Sequence, residues 1–213
     1  MADRNTIPLF PLQTVVFPGQ TVPLHIFEPR YKQMLADVRA AGQMGEVLPV
    51  GIVLGQDREL QAEVGCTVVL ESVLNEYEDG RLDIITLGKR RFRIDQVTEE
   101  KPYLEAWVEY IDDDELPIDP ALLAQALAGC ERLAELIGEG AGMEARVGDL
   151  QTAFQIAQLL ALELEAKQRL LEMATENMRL EMICTHLAQL IPMLEQRNQL
   201  RRRIHSNGHT KEN

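Results

Sequence analysis

No stretch of this chain is long and apolar enough to cross a bilayer, and the N-terminus lacks the apolar core of a secretion signal. Both absences point to a soluble, cytoplasmic protein. Cysteine is scarce: Cys66, Cys130 and Cys184 are far apart and odd in number, with no CxxC pair. That excludes a disulfide scaffold or zinc ribbon and fits reduced, buried thiols. Positive charge is also short. The 21 Lys and Arg face 34 Asp and Glu, for a formal charge of −13, which argues against nucleic acid as a partner because phosphate contacts need clustered cations. A GxxxxGK[ST] phosphate loop is missing too. At the only Gly-Lys pair, Gly88-Lys89, Arg90 stands where Ser or Thr would hold magnesium, and Asp83 stands where the first glycine belongs.

What is present is ordinary globular material, 46% hydrophobic, with its own punctuation. The run IPLFPLQTVVFPGQTVPLHIFEPRY, Ile7 to Tyr31, is rich in β formers yet holds five prolines. A central strand does not tolerate that, since each proline deletes a ladder bond. Pro8 and Pro11 suit an edge strand, Phe17-Pro18-Gly19-Gln20 a type II turn, Pro23 an edge or bulge, and Pro29 the first turn of a helix ending at Gly42. Strands are expected at Val50–Gly55, Cys66–Glu78, Leu82–Leu87, Arg90–Val97 and Tyr103–Ile111, with a hairpin turn at Glu78-Asp79-Gly80-Arg81.

After the acidic hinge Asp112–Pro117 the period becomes helical. Asp119-Pro120 caps a helix with Leu123, Leu127, Cys130 and Ile137 on its inner face, and the glycines from Gly138 to Gly142 end it. Asp149 is expected to cap a second helix, a shorter one covers 165–173, and Thr175 caps a long one to about Ile204. The expected organisation is a β-rich module over 1–117 with one helix, a helical bundle over 118–204 and a disordered tail over 205–213.

These residues carry a resemblance. IPLFPLQTVVFPG with VPLHIFEPRYKQML, then EDGRLDIITLGKRRFRI, YLEAWVEYI and AQLLALELEAKQRLLEM, resembles the substrate-binding N-terminal domain of Lon proteases, above all its stand-alone bacterial relatives, up to about Leu187. The resemblance implies an α+β fold, a PUA-like β pseudo-barrel followed by a C-terminal helical bundle. It also implies non-catalytic recognition of exposed apolar segments of unfolded or partly folded proteins, together with a protease or chaperone. The ATPase and Ser–Lys protease modules of a complete Lon are not in this sequence, so no enzymatic activity is carried over. RNA binding is the rival, because PUA-like folds serve it elsewhere; fold alone does not decide.

No cofactor, metal or catalytic residue is expected. Asp112–Glu115 lacks the spaced ligands and glycine of a calcium loop. His205 and His209 lie in a polar tail without a completing ligand, and the exposed Glu76, Glu78 and Asp79 have no burial to separate their acidities. His25 reads as a satisfied barrel histidine, and Lys89, Arg90, Arg91 and Arg93 as the polar face of a strand. The last helix is the most informative element. Leu180, Ile183, Leu187, Leu190 and Leu194 form a packing seam, and at about 100° per residue Met178, Met182 and Met193 fall on the other side. Those methionines are either sandwiched in the bundle or form a peptide-binding face, since methionine adapts to varied apolar partners. Pro192 should kink this helix.

Overall fold

In a computed structural model the residues described are 5–113, 116–138, 147 and 149–208, of which 5 and 202–208 are described by their backbone. They form β1 (Asn5–Leu12), β2 (Thr21–Ile26), α1 (Pro29–Gln43), β3 (Val50–Gln56), β4 (Glu59–Glu76), β5 (Leu82–Thr98), β6 (Glu105–Ile111), α2 (Pro120–Ile137), α3 (Ala153–Leu159), α4 (Leu164–Glu172) and α5 (Glu176–Gly208). The fold is α+β. Two compact units result, Met1–Asp113 with Leu162–Glu172, and Asp114–Ala161 with Met173–Asn213.

In the first unit the pairings β1–β3, β3–β4, β4–β5, β5–β6 and β6–β1 close a ring of five strands, a pseudo-barrel. Ile7, Leu9, Val53, Phe92 and Val108 fill it. Gly65 makes room for the Phe92 ring, since a Cβ there would lie 2.5 Å from its Cζ. β4 and β5 are long enough to run out of the ring, where β2 pairs on β5 to make a three-stranded arm, and their hairpin ends at the expected tight turn where Gly80 takes φ +75°. One continuous strand thus replaces the two expected at 82–87 and 90–97. Three register shifts along β4 and β5 bend it. At the first, the Thr67 hydroxyl bonds Arg90 N–H and C=O in place of the ladder, each at 3.1 Å.

β1 is not an edge strand. Its first half, Asn5–Pro8, pairs antiparallel with β6, and its second, Leu9–Leu12, pairs parallel with β3. The prolines survive because backbone groups alternate sides along a strand. Leu9 N–H donates toward the β6 side, to Leu104 C=O at 2.8 Å. Pro11 therefore faces that side after β6 has ended, and Pro8 faces the β3 side before β3 begins. Each missing N–H falls where no strand lies. The expected turn is present: Gly19 takes φ +77° and Gln20 N–H reaches Phe17 C=O at 3.1 Å. Among the described strands β2 is an edge, paired with β5 on one side. Beneath the arm, Tyr31, Met34, Leu35 and Val38 of α1 are buried.

α4 belongs to this unit rather than to the bundle expected over 118–204. Helical period does not specify what a helix packs on, and here polar groups do. Buried Gln168 donates to Val64 C=O of β4 at 3.0 Å, and buried Arg91 of β5 donates to Leu171 C=O at 2.8 Å. Arg91 also bonds Asp113. It is 2% exposed, so it is not part of a strand's polar face as its run of basic neighbours suggested.

In the second unit α2 and α5 run side by side. Asn177 receives Asp119 N–H at 2.8 Å at their beginnings, and Asn198 donates to Leu136 C=O at 2.8 Å near the end of α2. Leu180, Ile183 and Leu187 are buried on the expected seam, with Leu190 and Leu194 half-buried. On α2 the buried stripe is Ala126, Cys130, Leu133 and Ala134, while Ile137 is exposed at the helix end. The α3 cap is Thr152, not Asp149. Thr152 and Gln155 form a reciprocal capping box, a T-x-x-Q signal that outweighs the carboxylate upstream. Thr175 caps α5 through Met178 N–H at 3.2 Å. α5 holds Pro192 inside it and continues to Gly208, so the first part of the expected tail is helical; 209–213 lie outside the described residues, as do Asp114, Glu115 and 139–146.

Candidate functional site

An open cleft of about 420 Å³ in the first unit combines apolar floor, charged rim and free backbone. Phe10 and Tyr31 meet with ring centroids 4.1 Å apart, and with Pro11, Pro23 and Leu24 they line it. Phe27, just past β2, is 58% exposed at its mouth. The exposed ring stands beside a floor whose own two aromatic rings are buried. On the rim, Arg30 bonds Glu28 at 2.8 Å and Asp57 at 3.0 Å. Asp57 takes φ +56° at the β3–β4 turn, a conformation that Asp and Asn tolerate.

One wall of the cleft is the outer edge of β2. Gly88 N–H donates to Gln20 C=O at 2.8 Å, and Thr86 Oγ1 to Val22 C=O at 3.0 Å. By alternation Val22, Leu24 and Ile26 turn their backbone groups to β5, and Thr21, Pro23 and His25 turn theirs away. No described strand pairs with that side.

His25 is exposed, not a barrel-interior residue. Its Nδ1 lies 2.6 Å from Asp83 Oδ1, and its ring stacks on Phe27 at 5.9 Å. Asp83 also accepts from Asn75 at 2.9 Å and the Tyr77 hydroxyl at 2.7 Å. The hydrogen bond from His25, then those from Asn75 and Tyr77, hold its carboxyl down at about 2. The cluster fixes the imidazole at the cleft wall. It lacks a nucleophile, and among the described residues no group of acids, His or Cys could hold a metal. All three cysteines are buried and free, and burial pushes Cys66 up to about 12, so it offers no thiolate.

A second cleft, about 490 Å³, is lined by Thr6, Val47, Lys89, Arg90 and Tyr110 among others. Arg90 there lies over the Tyr110 ring at 4.2 Å and pairs with Asp112 at 3.0 Å. Of the four-residue basic run, Arg91 is buried while Lys89, Arg90 and Arg93 are exposed. In the second unit Met178 is 48% and Met193 66% exposed, with Met182 half-buried. Of the two readings of this helix side, the sandwiched one fails for Met178 and Met193. Phe27, Glu28 and Asp57 are not singled out by the sequence, whereas Pro23 marks the edge that β2 forms; the signal for Phe27 was its place between His25 and Pro29. Among the described residues no helix is long and apolar enough to cross a membrane.

The family described as the ATP-dependent protease La (LON) substrate-binding domain matches residues 6–189. Lon protease of Lawsonia intracellularis is 31% identical over 202 residues, which are 86% of this chain and 23% of that protein. Lon protease of Flavobacterium johnsoniae is 27% identical over 117 residues, 51% of this chain and 14% of that protein. The chain thus spans under a quarter of the length of these relatives. The crystal structure of a Lon N-terminal domain protein from Xanthomonas campestris matches with TM-score 0.63 at 28% identity, over 85% of this chain and 98% of that one. The N-terminal domain of the Mycobacterium avium complex Lon protease shares the fold, with TM-score 0.64 at 18% identity over 86% and 98%.

Proposed function

The chain belongs to the Lon substrate-binding domain family, and from that premise we propose that it is a non-catalytic module binding exposed apolar segments of unfolded or partly folded proteins. The observation that carries this reading is the cleft in which Phe27 stands open beside the Phe10–Tyr31 floor. Burying such a ring against a client's apolar side chain is the main source of affinity in small interfaces. The acidic rim and the charge of −13 disfavour acidic clients and keep the module soluble. A protease or chaperone acting on the same client is the partner this role requires.

Changing Phe27 to Ser removes the open ring without touching the core. The variant should melt like the parent while its affinity for fluorescent, reduced and carboxymethylated α-lactalbumin falls about tenfold or more. Unchanged affinity overturns the cleft as the client site. A single-stranded RNA bound more tightly than the unfolded protein would favour the rival.

Met178, Met182 and Met193 are proposed as a second client surface. The double variant Met178→Glu, Met182→Glu is expected to keep a cooperative melt within a few degrees, since exposed positions change stability by about 0.5 kcal/mol or less and Met182 is only half-buried. Weaker capture of the same unfolded probe supports the surface; capture equal to the parent removes it.

A further inference from the structure

We propose that the outer edge of β2 takes an extended polypeptide segment as an added strand, and that Glu28 and Asp57 favour a segment carrying a basic residue. The inference rests on the client-binding reading above and adds to it a backbone geometry and a charge preference. Thr21 and His25 offer N–H and C=O outward, and Pro23 offers C=O alone. An added strand therefore finds two donors and three acceptors at alternate positions, the pattern by which sheet edges capture peptides. Edges so exposed are usually blunted, and a proline facing outward weakens this one without closing it.

The cleft beside the edge supplies the rest. A strand on β2 sends alternate side chains to opposite faces, so every second one falls on the side of the apolar floor or Phe27. At the rim Glu28 and Asp57 share the single guanidinium of Arg30, and Asp83, held ionised, stands behind His25. Two carboxylates on one cation leave a net negative rim, which complements a Lys or Arg and repels a carboxylate.

The test uses the full chain and a terminally blocked, fluorescent heptapeptide of alternating Val and Thr with one central Lys. Two N-methylated versions block either one alternate set of amides or the other. If the segment adds as a strand, one set weakens binding about tenfold or more and the other leaves it nearly unchanged. Amide exchange at Thr21 and His25 should slow on binding while Val22 and Leu24 stay as they were. A Glu in place of the central Lys should weaken binding severalfold at low salt, and the combined Glu28→Gln, Asp57→Asn variant should erase that difference; Asn tolerates the backbone at position 57. Equal effects of the two methylation patterns, or protection elsewhere than Thr21 and His25, overturn the strand geometry. A Lys-to-Glu difference that survives the double variant overturns the charge assignment. Carboxymethylated α-lactalbumin, run in parallel, separates the levels: if it binds and no heptapeptide does, strand addition fails while client binding stands; if neither binds, both fail.

Discussion

Replacing Arg179 by Met is expected to cost the second unit about 3–5 kcal/mol, the range seen when one partner of a buried ion pair is removed. Arg179 is fully buried. Its guanidinium grips Glu176 Oε2 through Nε at 3.0 Å and Nη2 at 2.7 Å, donates to Met173 C=O at 2.9 Å, and lies over Phe154 at 4.4 Å. The other oxygen of Glu176 accepts Ala153 N–H at the start of α3. Methionine fills a similar volume but leaves the carboxylate buried without its cation. Lys keeps the charge and loses the two-pronged grip, so Arg179→Lys should fall between. Urea melts of the parent and both variants measure this, and adding Glu176→Gln to the Met variant should return part of the loss. A Met variant within 1 kcal/mol of the parent would show that the pair contributes little.

Arg91→Met should cost the first unit about 2–4 kcal/mol, from an orphaned carbonyl and a lost charged hydrogen bond. The effect is smaller because Asp113 is 38% exposed and can return to water. It should also be local. Leu171 C=O loses its donor, so the amides of α4 should exchange faster than those of β3 and β5. Uniform loss of protection across the unit would contradict the assignment of Arg91 as the clasp of α4.

Local conformational demands were legible in the sequence, whereas pairings over distance were not. The turn at Pro18-Gly19 and the hairpin at Gly80 could be read because positive φ selects glycine wherever the chain ends up. The caps at Asp119 and Thr175 are local in the same way. β1 reads as an edge because nothing local shows that a strand changes partners midway, leaving each proline facing the vacant side. The burial of Arg91 is hidden by its neighbours, since a run of four basic residues in five reads as a solvated face until α4 arrives from eighty residues away. The candidate site suffered most. It joins the end of β1, the edge of β2, the start of α1 and the β3–β4 turn, and of its lining only His25 and the prolines stand out in the sequence, none of them as parts of one site.

The sequence path of the first unit has a consequence for biosynthesis. The barrel strands are complete at Asp113, yet α4 lies beyond residues 114–161. At about 5–20 residues per second a ribosome leaves the nascent barrel waiting on the order of seconds for the helix that covers Val64 and clasps Arg91. During that interval a buried cation and an apolar strand face are open to whatever is near, which makes the growing chain itself the sort of partly folded polypeptide that chaperones attend. An expression fragment cut after β6 would hold that state permanently.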